Sequence, residues 1–492
     1  MSILVKLKKE EGIALPTVII LMAVVILLSA SALSVTLNQA SMNRHYAASV
    51  DALHFAESGI NQYLWHLNKI DSESLTLGVD QEFGEGYFRL ELIDGSVEDG
   101  FVTVRSSGYH KDSPDRTRTL EVMLSKKSFT QYVWLTDSEG VAWNATIHTW
   151  EGPFHTNGNL RVWGRPTFNG PVSYSGVIQT NSSSPYGTAN PYYNMGNPVK
   201  VEKIVFPATN SEIKARAQNG GHYYNGMTAI YLNGDSYDVR TYNSNTGNWM
   251  YNGKTYAELG LSFGSAADPK PAVASLPLPD NGVIYIDGAN AAQWRRGTGD
   301  LYISGTLDGK LTIAAANNIY LTGYDPTDWR VPSYTGGNPR YLPRGAATAG
   351  ITYAPGTEST SILGLIANSN IEILGKYWPG HRSTNANGLQ YWNTPNDVAP
   401  NNLDLDGAYM ALSGTITYDY GIGVQKGNVN MFGAMIQKTR GAFATTGAGY
   451  GRVFEHDPKL VFQTPPYFLE PVDSGWEINT WRETNTAEVN NN

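Results

Sequence analysis

The stretch Ile13 to Leu37, IALPTVIILMAVVILLSASALSVTL, decides how the rest of the chain is read. No Asp, Glu, Lys or Arg occurs between Gly12 and Asn43. An apolar run of this length can cross a hydrocarbon layer about 30 Å thick, which needs about 20 helical residues. Lys6, Lys8 and Lys9 precede it, then Glu10, Glu11 and Gly12. Positive flanks stay in the cytoplasm, so the long remainder is expected beyond the membrane. Three kinds of N-terminus compete. One is a secretory signal cut near Ser29-Ala30-Ser31-Ala32. The second is a plain anchor. The third is a short leader removed after Gly12, with the apolar helix retained.

The continuation favours the third. From Leu37 to Lys69, the apolar positions Met42, Tyr46, Val50, Leu53, Ala56, Ile60, Leu64 and Leu67 recur every three or four residues, a helical stripe. One helix from Ile13 to about Asn68 would be ~85 Å long at 1.5 Å per residue. A secretory signal needs no such continuation.

KKEEGIALPTVIILMAVVILL (8–28) followed by HFAESGINQYLW (54–65) resembles the N-terminus of type IV pilins, especially PilX-like minor pilins. The resemblance implies cleavage between Gly12 and Ile13 by a prepilin peptidase and methylation of the new amine on Ile13. It also implies an inner- or cytoplasmic-membrane precursor that assembles with other pilins into an extracellular pilus. Major pilins carry Glu at the fifth mature position, where it pairs with a neighbouring subunit's terminal amine. Here that position is Thr17. Tip pseudopilins of the GspK-like kind also lack the Glu, so Thr17 points to the pilus tip. The competing reading of Thr17 is a tolerated change at a low-copy position. Pro16 falls in the first turn of the mature helix, where a missing N–H costs little.

Composition narrows the classes. The 492 residues suffice for two or three domains. The formal charge is −9, which argues against a globally nucleic-acid-binding chain but leaves room for a local basic patch. There is no Cys, so no disulfide framework and no thiol chemistry. Gly (51), Tyr (30) and Trp (12) are abundant, as in turn-dense β structure.

After the helix, Gly86 to Ile93, Gly100 to Ser107 and Arg116 to Leu124 alternate like strands of an antiparallel meander. From about Tyr132 a seven-residue pattern recurs, with Asn or Asp usually second, apolar residues third and fifth, and Gly last. Its copies are GNLRVWG (158–164), GVIYIDG (282–288, which departs at the second position), GDLYISG (299–305), NNIYLTG (317–323), SNIEILG (369–375) and GNVNMFG (427–433). Three copies begin 17 and 18 residues apart, at 282, 299 and 317. Such a unit reads as a short strand with two inward apolar residues and a glycine corner. The spacing suits one coil of a parallel β-solenoid; β-sandwich strands are the competing reading.

The expected organisation is a leader (1–12), a pilin helix (13–69, with 13–37 in the membrane or filament core) and a pilin β-meander (70–128). An inserted all-β domain (129–464) and a C-terminal return strand and tail (465–492) complete it. The fold class is thus an α+β pilin domain carrying a large β-solenoid.

Polar insertions rich in Tyr, Trp, Asn and Gly interrupt the pattern, and loops on a rigid scaffold are where binding usually resides. Basic and aromatic residues interleave at Trp294, Arg295, Arg296, Arg330, Arg340, Arg344, Lys376, Trp378 and Arg382. Convergent loops of this kind would suit phosphate contact and base stacking; cation–π packing within the loops is the structural alternative. Asp404 and Asp406 alternate on one strand, and His148 and His155 lack metal-site spacing. No defensible catalytic set emerges, and no cofactor is implied. Helix, meander, inserted solenoid and late return together resemble ComZ-like large minor pilins, which implies DNA capture in natural transformation. The alternatives are a tip adhesin for surface glycans and, behind it, a membrane-anchored polysaccharide-cleaving enzyme.

Overall fold

The computed structural model describes residues 14–69, 76–97, 101–261, 270–289, 297–328, 350–358, 360–375, 399–418, 425–445, 447–472 and 474–484. The chain divides into two compact units. The first comprises Met1–Gly95, Val102–Leu124 and Trp476–Asn492; the second comprises Ser96–Phe101 and Ser125–Gly475. Gly12 and Ile13 lie outside the described residues.

In the first unit, helix α1 runs unbroken from Ala14 to Asn68. Its first part is long and apolar enough to cross a membrane, with a mean hydropathy of 2.8 in its most apolar window. Leu15, Ile20, Leu27 and Leu37 are all more than half exposed. The second part is amphipathic and packs. Ala48, Ala52, Ala56, Ile60 and Tyr63 are buried at helical spacing. Met42 and Tyr46, expected in the stripe, are exposed instead. The buried line begins at Ala48, and its small side chains let the sheet backbone come close. At Gly108 a Cβ would lie 2.3 Å from the Ala52 carbonyl oxygen, so this approach requires glycine.

Four strands follow: β1 (Asp80–Phe83), β2 (Gly86–Ser96), β3 (Phe101–His110) and β4 (Ser113–Lys126). They lie in that order in one sheet, with the late strand Trp476–Thr484 beside β4. Phe88, Leu90, Val104, Leu120 and Val122 face Ala56 and Ile60 in one apolar cluster. The late strand is held from both ends. Asn68 exchanges two hydrogen bonds with the Trp476 backbone, at 2.7 and 3.1 Å. Arg118 donates to both carboxylate oxygens of Glu483 and to Ser49. The late segment begins at Trp476 rather than at Pro465, because Phe468 and Leu469 are buried in the second unit's core.

The second unit is built almost wholly from parallel pairings. In the first ladder the order is His222–Asn225, Val283–Asp287, Lys310–Ala315, Ile362–Ala367, the end of Leu403–Ala411, then the end of Gln425–Thr439. Next come Trp134–Ser138, Phe154–Thr156, Val172–Tyr174 and Val199–Lys200. Spatial order is therefore not chain order: the stretch 134–200 is laid after the stretch 222–455. A second ladder stacks Leu301, Ile319, Ile371 and Ile416 in register. A third stacks Leu307 on Tyr353, and Gly350 on Asp404 on Asn430. Inward residues of all three form one large apolar core.

The recurrent heptad has a physical basis. Its third and fifth residues, such as Leu301 and Ile303 or Ile319 and Leu321, are the buried core positions. Its second residue passes hydrogen bonds from one layer to the next. The Asn318 N–H donates to Asp300 at 3.2 Å, the Asn370 N–H to Asn318 Oδ1 at 3.0 Å, and the Thr415 N–H to Asn370 Oδ1 at 3.0 Å. A buried corner amide needs such an acceptor.

Residues 201–221 connect the last strand of the first ladder to the first one, and they run along its outer face. Helix α2 (Ser211–Gln218) belongs to this strap, and Ile213 and Ala217 bury against Val283, Ala314 and Ile362. Where 134–200 meets 222–455, Arg440 and Glu139 form an ion pair at 2.5 Å with side chains 2% and 1% exposed. Arg440 also donates to Asn144 at 2.9 Å and lies over the rings of Trp134 and Trp150.

Candidate functional site

Trp294, Arg295, Arg296, Arg330, Arg340, Arg344, Lys376, Trp378 and Arg382 all lie outside the described residues. Their segments are rooted in described strands, and the roots are ordered by the ladders. The segment after Ile319–Leu321 and the segment after Ile371–Ile373 leave from strands that pair directly, Leu321 beside Ile373. They rejoin at Gly350 and Leu403, where Gly350 pairs with Asp404. The two insertions bearing Arg330, Arg340 and Arg344, and Lys376, Trp378 and Arg382, thus start and finish side by side. The segment bearing Trp294 to Arg296 leaves elsewhere, between Val283–Asp287 and Leu301–Leu307.

The roots are firmly built. Lys270 bridges Asp238 and Asp325 at 2.7 and 2.6 Å and lies 5.0 Å from the Tyr231 ring centroid. Burial disfavours its charge, yet the two carboxylates hold its pKa above the usual lysine value. Asp325 also accepts from the Thr327 backbone at 2.8 Å. Tyr302 and Tyr320 stack at 4.8 Å on the outer side of the second ladder. On the rejoining side, Lys426 donates to the Ala399 carbonyl at 2.7 Å.

Asp300 heads the hydrogen-bond relay and is fully buried. Burial pushes its carboxyl pKa up to about 6 from 3.8, against the opposing pull of Thr298, Asn317 and Asn318 donors. A raised folded-state value favours the protonated form. The fold therefore carries no penalty below pH 3.8 and loses stability as pH rises through about 6. Asp300→Asn keeps the two amide hydrogen bonds without the charge. It is expected to be neutral at pH 4 and to stabilise by about 2–3 kcal/mol at pH 7.5, read from denaturant midpoints at the two pH values.

The acidic and histidine candidates have structural partners. Asp404 accepts from Asn430 at 2.7 Å, and Asp406 accepts the Tyr353 N–H at 2.8 Å. His155 sits between Ser173 and Asn157 at 2.8 and 2.9 Å, and Asn157 anchors the strap by accepting the Ile204 N–H at 2.8 Å. His148 accepts the Ala145 N–H at 3.0 Å and contacts Arg452. No group of three or more His, Asp or Glu suited to a metal occurs among the described residues. A cavity of about 530 Å³, which the sequence did not suggest, opens between α2 and the 467–472 segment. Lys126 pairs there with Glu470 at 3.0 Å, and the Arg216 guanidinium lies 4.7 Å from the Tyr467 ring centroid.

Residues 102–177 match a family described as a domain of unknown function, DUF4900. That region runs from β3 to just past the strand Val172–Tyr174. None of the curated proteins compared matches the chain. Among solved structures, the competence-associated pilin ComZ from Thermus thermophilus aligns over 89% of this chain and 97% of its own, with 10% identity and a TM-score of 0.21. A likeness at that score fixes neither fold nor function.

Proposed function

We propose that this chain is a minor type IV pilin that carries a β-solenoid binding domain at or near the pilus tip. The observation that carries the reading is the division of α1. Its second part is covered by a small antiparallel sheet, while its first part is apolar and bare. A bare apolar helix of that length needs a bilayer before assembly and other pilin helices afterwards. Thr17, in place of the family's Glu, supports a tip position. Gly12 and Ile13 are the proposed processing point for the prepilin peptidase, with methylation of Ile13. The three parallel ladders around one core support the solenoid, and the discontinuous make-up of the two units supports an insertion between β4 and Trp476.

For the ligand, the proposal is DNA, captured by the insertions bearing Trp294 to Arg296, Arg330, Arg340, Arg344, Lys376, Trp378 and Arg382. Their basic and aromatic content supports phosphate contact with base stacking. The formal charge of −9 favours the second reading, an adhesin that holds surface glycans through the Tyr- and Trp-rich loops. DNA binding by the full-length chain in detergent separates the two. The expected result is affinity that falls steeply with salt and drops at least tenfold in the Arg295→Ala/Arg296→Ala/Arg382→Ala variant. Salt-insensitive or unchanged binding overturns the DNA assignment, and retention on glycan without DNA binding establishes the adhesin.

A further inference from the structure

A separate sheet of three short parallel strands also faces the core: Asn144–Ala145, Leu160–Trp163 and Ile178–Asn181, in that spatial order. Leu160 and Val162 are buried in the core, so Arg161 and Trp163 project from the opposite face. Arg161 pairs in register with Gln179, and Trp163 with Ala145 and Asn181. Arg165 follows and is exposed, while Tyr186 packs against Gly164 and keeps part of its ring in solvent. The charge on this face has one sign. Between Glu139 and Glu202 the sole acidic residue is Glu151. Glu139 is buried against Arg440, and Glu151 lies in another sheet beside Glu455, so neither offers a carboxylate here. Among the described residues Arg161 is held by neutral groups alone. Its Nε donates to Gln179 Oε1 at 2.8 Å, its Nη1 donates to the Gly140 carbonyl, and its guanidinium lies 5.9 Å from the Trp143 ring centroid.

We infer that this face binds an acidic polysaccharide, a glycan whose sugar rings carry carboxylates. The polar groups left over on it are donors. Gln179 spends its carbonyl oxygen on Arg161, and Asn181 spends its own on the Ser183 N–H at 2.9 Å. Both side-chain NH2 groups remain as donors, beside Arg161 Nη2 and the Arg165 guanidinium. A surface of donors without acceptors suits a carboxylate, which only accepts, and an arginine holds a carboxylate through paired hydrogen bonds. Trp163 and Tyr186 supply ring surface for the apolar side of a sugar. These rings are already fixed: Trp163 Nε1 donates to the Ser183 carbonyl at 2.9 Å, and the two rings meet edge to face at 4.9 Å. Little side-chain freedom is therefore lost on binding. A nucleic-acid strand fits this face less well, because its affinity grows with the number of phosphates neutralised and two arginines neutralise few. The site stands apart from the insertions and holds whether or not they capture DNA.

Affinity electrophoresis of the full-length chain in detergent, through gels containing polygalacturonate, tests the assignment. Mobility is expected to fall as polygalacturonate is raised and to be unaffected by neutral dextran. Trp163→Ala and Arg165→Ala are each expected to weaken binding about tenfold. The Arg295→Ala/Arg296→Ala/Arg382→Ala variant is expected to bind polygalacturonate as the wild type does, which separates this face from the insertions. Arg165 is exposed, so its variant keeps the wild-type melting temperature and decides the matter should Trp163→Ala fold poorly. Retardation by dextran equal to that by polygalacturonate, retardation by neither, or unchanged binding in Arg165→Ala overturns the assignment. Binding of single-stranded oligothymidylate that is lost in the same two variants, without retardation by polygalacturonate, gives the face to nucleic acid and overturns it as well.

Discussion

Gly433→Ala is expected to abolish stable folding of the second unit. Gly433 pairs with Gly407 in register, has φ of 155°, and a Cβ placed on it would lie 1.9 Å from the Gly407 carbonyl oxygen. Its strand cannot shift to make room. It is paired in parallel on one side with Leu403–Ala411 and on the other with Ala448–Glu455 and Trp134–Ser138. The penalty combines backbone strain with a clash against main chain rather than a flexible side chain, so a loss of about 4 kcal/mol or more follows. Gly234→Ala is the control. Its φ is also positive, at 71°, but a Cβ there meets nothing within 4 Å. That variant should cost only about 1 kcal/mol, the left-handed strain of an ordinary residue. Denaturant unfolding monitored by tryptophan fluorescence reads both. Equal midpoints for the two variants would remove close strand packing as the cause.

The second large effect is expected at Glu139. Its carboxylate pairs with Arg440 at 2.5 Å and accepts from Thr136 at 2.5 Å, all in the interior where the two wound stretches of chain meet. Arg452 lies close by. Burial, then the positive charge of Arg440, lowers its pKa to about 9. Arg452 contacts His148, and the Glu139 charge opposes that lowering only weakly. Glu139→Ala leaves Arg440 charged, buried and short of its counter-ion, which costs about 3–5 kcal/mol. A well-packed apolar replacement of both partners is expected to recover most of that loss, since the pair itself gains little net energy over its desolvation. Thermal melts of Glu139→Ala and of Glu139→Leu/Arg440→Met check it. A wild-type melting temperature in the single variant would show that water reaches the pair.

Much of the first unit was legible because its signals are local. The uncharged run, the helical stripe and the alternating strands each depend on residues within about ten positions of one another. The missing detail there was the alanine line. Ala48 and Ala52 carry almost no hydrophobic signal, yet they set how closely the sheet approaches, whereas the larger Met42 and Tyr46 drew attention and are exposed. Strand β1 was also not anticipated, because Asp80–Phe83 shows no alternation and is largely exposed. In the second unit the heptads marked inward residues correctly, since an apolar third and fifth position is again a local pattern. The role of the second position was not legible. Asn318 acts on Asn370, 52 residues away, and only the register of Ile319 on Ile371 brings them together. Nor could the sequence reveal that 134–200 is stacked beyond 222–455, because nothing in either stretch encodes its neighbour. The proposed ligand residues occupy insertions whose interleaved basic and aromatic content was legible, while the adjacency of two of their roots required the ladder registers.

The second unit begins and ends at one place. Thr130 donates to the Leu460 carbonyl at 2.9 Å, and the Lys127 N–H to the Gly475 carbonyl at 3.3 Å. These residues flank Trp134–Ser138 and follow Ala448–Glu455, in the middle of the ladders rather than at either end. The start and the finish of the long stretch Ser125–Gly475 are therefore tied to each other by hydrogen bonds made within the second unit itself.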